Sequence, residues 1–129
     1  MIGKTTVNDL SVIILNYNTC DLLRDCLNSV YANEGDISYT VHVVDNASPD
    51  DSVDMVRREF PQVDLIANSE NPGFAKGNNM MLGCLQARYG LLLNPDTVLP
   101  PDALEQAVAF MDAHPDAGVM SAKLVRGDG

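Results

Sequence analysis

Positive charge is scarce in this chain. Lysine and arginine together number eight against eighteen acidic residues, for a formal net charge of −10. That balance argues against wrapping nucleic acid and against docking on anionic lipid. It also sets a condition. A phosphate-bearing ligand must find its positive potential in backbone N–H groups, helix N-termini or a divalent cation. No apolar run approaches bilayer-spanning length, and the opening MIGKTTVNDL carries no signal-peptide core. Cysteine is also sparse, at Cys20, Cys26 and Cys84. An odd count without paired spacing points to reduced thiols in a cytosolic protein, and the gap between Cys20 and Cys26 is not a zinc spacing. All three read as structural. A G-x-G-x-x-G after the first strand and a P-loop are both missing, and no serine has a nearby histidine for a hydrolytic triad. His42 and His114 read as structural. There is no internal repeat, low-complexity tract or linker.

What remains is a 129-residue chain, 46% apolar, enough for one domain with a real core. Its pattern alternates. LSVIILNYN (10–18) is a β-branched apolar run closed by polar residues, and CDLLRDCLNSVYA (20–32) spaces its apolar residues for a helix. YTVHVVDNAS (39–48) reads as a second strand. Ser48 then reads as an N-cap, with Pro49 first in the helix and Asp51 completing a capping box. That helix runs through 51–60 and stops at Pro61. A short strand follows at 63–68, then a helix with a glycine-rich start over 73–89, a fourth strand at 90–96, a helix at 101–115 and a fifth strand at 117–125. Alternation with short joins predicts βαβ units, a parallel sheet with helices on both faces, and the strand order 3-2-1-4 with the fifth beyond.

The strand ends carry the functional signal. Ligands of such sheets bind beyond the carboxyl ends of the strands, near the point where strand order reverses. Here every one of the first four strands ends in polar residues: Asn16-Tyr17-Asn18, Asp45-Asn46, Asn68 followed by Ser69-Glu70-Asn71, and Asn94-Pro95-Asp96. Each has a structural reading as a cap or turn residue, and so do Gly73, Gly77, Asn78 and Asn79. Turn chemistry does not readily account for all four clusters at the tips of such apolar strands.

SVIILNYN, VVDNASPDDS, NSENPGFAKGNN and LLLNPDTVL stand here in the order and spacing of the inverting family 2 glycosyltransferases, most like the rhamnosyltransferase-like branch. The resemblance runs from about Leu10 to Arg126. It implies a nucleotide-diphospho-sugar transferase fold of the glycosyltransferase A type, α/β and Rossmann-like. The implied reaction moves a sugar, rhamnose or another hexose, from a nucleoside diphosphate of the dTDP or UDP type to an acceptor hydroxyl with inversion. The acceptor would be a glycan or lipid-linked, in cell-surface polysaccharide synthesis. Carried over by motif, Leu15, Asn16, Tyr17 and Asn18 would line base and ribose, with Asp45 accepting from a pyrimidine N3–H and Asn46 beside it. Asn71, Gly73, Lys76 and Asn78 would shape a loop near the nucleotide, Lys76 approaching phosphate as a point charge. Asn94-Pro95-Asp96 matches the family's D-x-D motif, so Asp96 would bind Mg²⁺ or Mn²⁺ bridging the diphosphate. Asn94 in the first position keeps an acceptor oxygen but loses a charge.

The resemblance also implies what is not here. Relatives run to roughly twice this length, still within the single-domain range, and their later half holds the acceptor site and an Asp or Glu general base. The expectation is therefore that residues 1–129 form the donor-binding half, with the base beyond Gly129. Asp102, Asp112 and Asp116 read as helix and turn residues. Such a half would be inactive alone and would self-associate through an exposed sheet edge. The full-length protein would be cytoplasmic and peripheral at the inner membrane face. Two rivals are weaker. A non-catalytic receiver-like module wants paired acids at the first strand's end, and a nucleotidyltransferase wants a glycine-rich basic loop there; NYNTCDLL supplies neither.

Overall fold

The computed structural model describes residues 8–68, 87–114 and 119–121. The elements are β1 (Asn8–Asn16), α1 (Cys20–Tyr31), β2 (Tyr39–Asn46), α2 (Ser52–Glu59), β3 (Asp64–Asn68), β4 (Ala87–Leu93), α3 (Ala103–Ala113) and β5 (Val119–Ser121). The strands form one sheet in the order β3-β2-β1-β4-β5, and every neighbouring pair is parallel. This is the α/β architecture and strand order expected from the alternation. The order reverses between β1 and β4, which puts the switch point at the tips of those two strands.

The two faces of the sheet separate cleanly by residue parity, because strand side chains alternate. Leu10, Val12 and Ile14 of β1, Val41 and Val43 of β2, and Leu91 and Leu93 of β4 share one cluster. Leu23, Cys26, Leu27 and Val30 of α1, Met55 and Val56 of α2, and Leu104 and Val108 of α3 pack into that same cluster. Ile13, Leu15 and Val44 point the other way and form a smaller cluster with Ile66 and Leu92. The three described helices thus lie on one face. Of the helix expected over 73–89, residues 73–86 fall outside the described residues.

Several expectations shift at element boundaries. Residues 87–89 are strand, not the tail of a helix, because Ala87 and Tyr89 pair with Asn8 and Leu10 of β1 and the ladder outweighs the helical spacing. β4 ends at Leu93 instead of Asp96; the Thr97 N–H closes a turn on the Asn94 carbonyl at 3.1 Å. Ser48 is not a helix N-cap. α2 begins only at Ser52, and the Ser48 hydroxyl is taken by Asp45.

The end of the sheet away from the switch point is tied by charge. Arg88 at the start of β4 pairs with Asp9 of β1 and with Asp112 of α3, and the Tyr89 hydroxyl donates to the same Asp112 carboxylate. Asp112 is therefore a structural anchor at the far end from the strand tips. Gly35, in the α1–β2 connection, has φ +127°, and a Cβ there would stand 2.9 Å from Cβ of Glu105 on α3. Glycine lets these two segments touch.

Candidate functional site

Asn16 and Asp45 are register partners at the last rungs of β1 and β2. Both are buried, at 0% and 1% exposure, in positions where an unpaired polar group costs about 1–3 kcal/mol. Neither is unpaired. Asn16 Nδ2 donates to Asp45 Oδ1 at 2.8 Å and to Ser48 Oγ at 3.3 Å, while the Thr19 hydroxyl donates to Asn16 Oδ1 at 2.6 Å. The Ser48 hydroxyl donates to Asp45 Oδ1 at 2.6 Å, the Ser48 N–H donates to Asp45 Oδ2 at 3.0 Å, and Ser48 Oγ accepts the Asn18 N–H at 2.8 Å. The amide orientation at position 16 is thereby fixed, since its NH₂ must face a carboxylate and its oxygen a hydroxyl. An aspartate there would set two acids against each other.

The backbone bends to make this possible. Asn18 and Ala47 both adopt positive φ, 56° and 62°. Asparagine tolerates that region; alanine pays about 1–2 kcal/mol for it. The turn at Ala47 swings Ser48 back onto Asp45. Tyr17 is left pointing outward, 49% exposed, between the buried Asn16 and the exposed Asn18. Leu15 lies under the rim on the smaller apolar cluster. Asn46 is buried, and Asn68 Nδ2 donates to its Oδ1 at 2.7 Å, joining the tips of β2 and β3.

A second knot lies just outside the first. Asp50 Oδ2 accepts the Cys20 N–H, the first residue of α1, at 3.0 Å, while Oδ1 accepts the Ser52 N–H and hydroxyl at the start of α2. One carboxylate thus caps two helices, although neither helix has a side-chain cap of its own. Burial pushes the Asp50 carboxyl up, but the bonds from Ser52 and Cys20 outweigh it and hold the group below its usual range. An open cleft of about 440 Å³ adjoins it, lined by Asn18, Thr19, Cys20, Asp21, Leu22, Asp50 and Asp51. Sequence reading missed Asp50 and the role of Ser48. The signal was Asp50 and Ser52 two apart, an Asx turn before a helix.

At the tip of β4, Asn94 and Asp96 are exposed. Leu93 pairs with Ile14, so the Asn94–Asp96 turn leaves the sheet beside the tip of β1. The Asp96 carboxylate makes no hydrogen bond or ion pair among the described residues. Its charge is felt by Cys26 on α1, whose thiol is pushed up to about 12, first by burial and then by Asp96. The Cys26 thiol meets the Asn94 carbonyl at 3.8 Å. Among the described residues no three His, Cys, Asp or Glu side chains group closely enough to hold a metal ion by themselves. The structure thus brings Asn16, Asp45, Asn46, Tyr17 and Asn18 together and sets Asn94 and Asp96 on the same rim. Asn71, Gly73, Lys76 and Asn78 lie outside the described residues. No helix among the described residues is long and apolar enough to cross a membrane.

Comparison with known proteins places the chain in a family. The family model for glycosyl transferase family 2 matches residues 11–129. The succinoglycan biosynthesis protein ExoO of Rhizobium meliloti is 31% identical over 108 residues, covering 83% of this chain and 31% of ExoO. The poly(ribitol-phosphate) β-N-acetylglucosaminyltransferase TarS of Staphylococcus aureus is 29% identical over 126 residues, covering 92% of this chain and 22% of TarS. Among solved structures, a mannosyltransferase from Pyrobaculum calidifontis in complex with GDP-Man and Mn²⁺ superposes with TM-score 0.74 at 27% identity, over 83% of this chain and 33% of that one. S. aureus TarS 1-349 in complex with UDP-GlcNAc gives TM-score 0.73 at 25% identity, over 83% and 32%. The chain spans about a third or less of these relatives.

Proposed function

This chain belongs to glycosyl transferase family 2, and from that premise we propose that residues 1–129 form the donor-binding part of an inverting enzyme. The donor is a nucleoside-diphosphate sugar of the UDP or dTDP type, carrying rhamnose or another hexose. The acceptor is the hydroxyl of a glycan or lipid-linked saccharide in polysaccharide synthesis. The observation that carries the reading is the rim itself. A braced floor of Asn16, Asp45 and Ser48 stands beside an exposed Asp96 that has no partner among the described residues.

In this reading the nucleoside lies over the tips of β1 and β2. Tyr17 offers an exposed aromatic face for the ring and Asn18 an amide for the ribose. Asp45 contributes mainly from beneath. Three donors already occupy it, and a base N–H would use the one acceptor position left on its carboxylate. The diphosphate extends toward β4. Asp96 fits a hard cation there: an exposed carboxylate with an amide oxygen two residues away suits Mg²⁺ or Mn²⁺, which take one or two carboxylates plus substrate phosphates. When bound, the ion supplies the positive charge that stabilises the departing diphosphate. Support also comes from the neighbours solved in complex with GDP-Man and Mn²⁺ and with UDP-GlcNAc. Neither Asp102 nor Asp112 serves as base, since Asp102 accepts from Gln106 and Asp112 is held by Arg88 and Tyr89. The base is proposed to lie beyond Gly129.

Thermal unfolding with UDP, dTDP or GDP, each with and without Mn²⁺, tests the proposal. The expected result is a rise in Tm with a pyrimidine nucleotide that is larger when Mn²⁺ is present, and smaller in Tyr17→Ala. A folded sample whose Tm responds to no nucleotide would overturn it. The half-exposed edge strand β3 is the proposed route to self-association, checked by sedimentation at rising concentration.

A further inference from the structure

Beyond β4 the chain does not return at once to the sheet. From Asn94 to Pro101 it runs alongside α1, and one stripe of that helix holds it. Cys26, Ser29 and Asn33 stand at i, i+3 and i+7, so they share a helical face at and just past the end of α1. Cys26 Sγ meets the Asn94 carbonyl at 3.8 Å. Ser29 Oγ accepts the Leu99 N–H at 2.9 Å while its own hydroxyl donates back to the Cys26 carbonyl at 2.7 Å. Asn33 Nδ2 donates to the Ser29 carbonyl at 3.0 Å and to the Pro100 carbonyl at 3.1 Å, and its Oδ1 accepts the Leu104 N–H at 2.8 Å. The Glu34 N–H donates to the Pro101 carbonyl at 2.7 Å. Prolines at 100 and 101 cannot donate, so this segment depends on outside groups for its fastening.

Resting on the donor-site reading above, we propose that Ser29 and Asn33 are positioning residues: through the segment 97–104 they set where the Asn94–Asp96 turn, and hence the Asp96 carboxylate, stands on the rim. Neither residue touches the turn's acid. Their effect is transmitted by the short stretch between Asp96 and Leu99, which is anchored at its start by the Thr97-to-Asn94 turn bond and at its end by Ser29. Small displacements of a binding group cost affinity steeply when the supporting contacts are loosened.

The test compares the chain with Ser29→Ala, Asn33→Ala, Asp96→Asn and the conservative Ser29→Thr. UDP binding is measured by calorimetry with and without Mn²⁺. The proposal expects Ser29→Ala and Asn33→Ala to weaken the Mn²⁺-dependent part of binding about tenfold, the size of one lost hydrogen bond. Metal-free UDP binding stays unchanged and Ser29→Thr restores the wild-type value. A merely structural role would depress both kinds of binding together, and that outcome overturns the proposal. So does Mn²⁺-dependent binding that is lost in Asp96→Asn but undisturbed in both alanine variants, which leaves the donor site standing. UDP binding with no Mn²⁺ dependence in the parent chain overturns the metal role of Asp96 and this proposal with it.

Discussion

The tips of β1 and β2 and the tip of β4 use the same residue types for opposite ends. At the first, asparagine and aspartate are buried and every hydrogen-bonding atom of the Asn16 side chain is engaged. At the second, an asparagine and an aspartate sit in solvent, and what fastens the turn is its backbone, through the Asn94 carbonyl. Burial separates the roles. A buried carboxylate must spend its lone pairs on the protein, which makes it a brace for two loops; an exposed one keeps them for a ligand. The rim is therefore a rigid floor beside an open arm.

The hardest way to break that contrast is to put a second acid into the floor. Asn16→Asp would replace the donor that faces Asp45 at 2.8 Å by another acceptor. A loss of about 3–5 kcal/mol in urea unfolding is expected, the cost of a buried charge left without its partner. A variant with the parent's urea midpoint would show that the floor is not braced as described. Ser48→Ala is the next step down. It removes a hydroxyl that serves Asp45, Asn16 and the Asn18 N–H at once. A loss of about 1–3 kcal/mol is expected by the same measurement.

The outer knot around Asp50 gives the floor's side of the comparison a pH signature. Its folded-state pKa is depressed below the ordinary 3.8. The folded form therefore holds its charge where the unfolded chain has begun to take up a proton. Stability from this group is complete above about pH 4 to 5 and is lost as pH falls through the depressed value. Asp50→Asn should lower Tm at neutral pH and flatten the acid limb of the Tm–pH curve, because an amide caps α1 and α2 less well and does not titrate. An acid limb identical to the parent's would remove Asp50 from the account.

The order of strands and the polar rim were legible because buried parallel strands are apolar on nearly every residue, so Asn16, Asp45 and Asn94 stand out against their runs. Local letters misled where a longer-range partner outbid them. Ser48, Pro49 and Asp51 spell a capping box, but the buried Asp45 needed donors more than α2 needed a cap, and α2 starts four residues later. Arg88 and Tyr89 continue a helical spacing, but pairing with β1 and the tie to Asp9 and Asp112 placed them in a strand. Asp50 could not be read as the cap of α1, thirty residues earlier in sequence, because sequence periodicity carries no information on which loop faces which helix. The stripe of Cys26, Ser29 and Asn33 was hidden for the same reason. Its partners lie near residue 100, and only the fold brings them together.

The gentlest change sharpens the contrast most. Asp96→Asn keeps the shape of the β4 turn, whose described bonds run through the Asn94 backbone. At an exposed position with no partner among the described residues, its effect on stability is expected within about 0.5 kcal/mol. Cys26 reports whether the turn has stayed in place. The thiol's raised value has two causes, and the larger, burial, does not involve Asp96. In the parent, stability from that proton is complete below the ordinary 9.0 and fades only as the pH climbs toward about 12; in Asp96→Asn the burial remains, so the thiol is expected to stay raised. Alkylation at pH 8 should therefore remain as slow at Cys26 in Asp96→Asn as in the parent, while the half-buried Cys20 reacts faster. Unchanged stability and unchanged Cys26 protection, together with loss of Mn²⁺-dependent nucleotide binding, would separate the arm from the floor by function. Faster alkylation of Cys26 would mean instead that the carboxylate helps hold the turn, and the two tips would then differ in degree only.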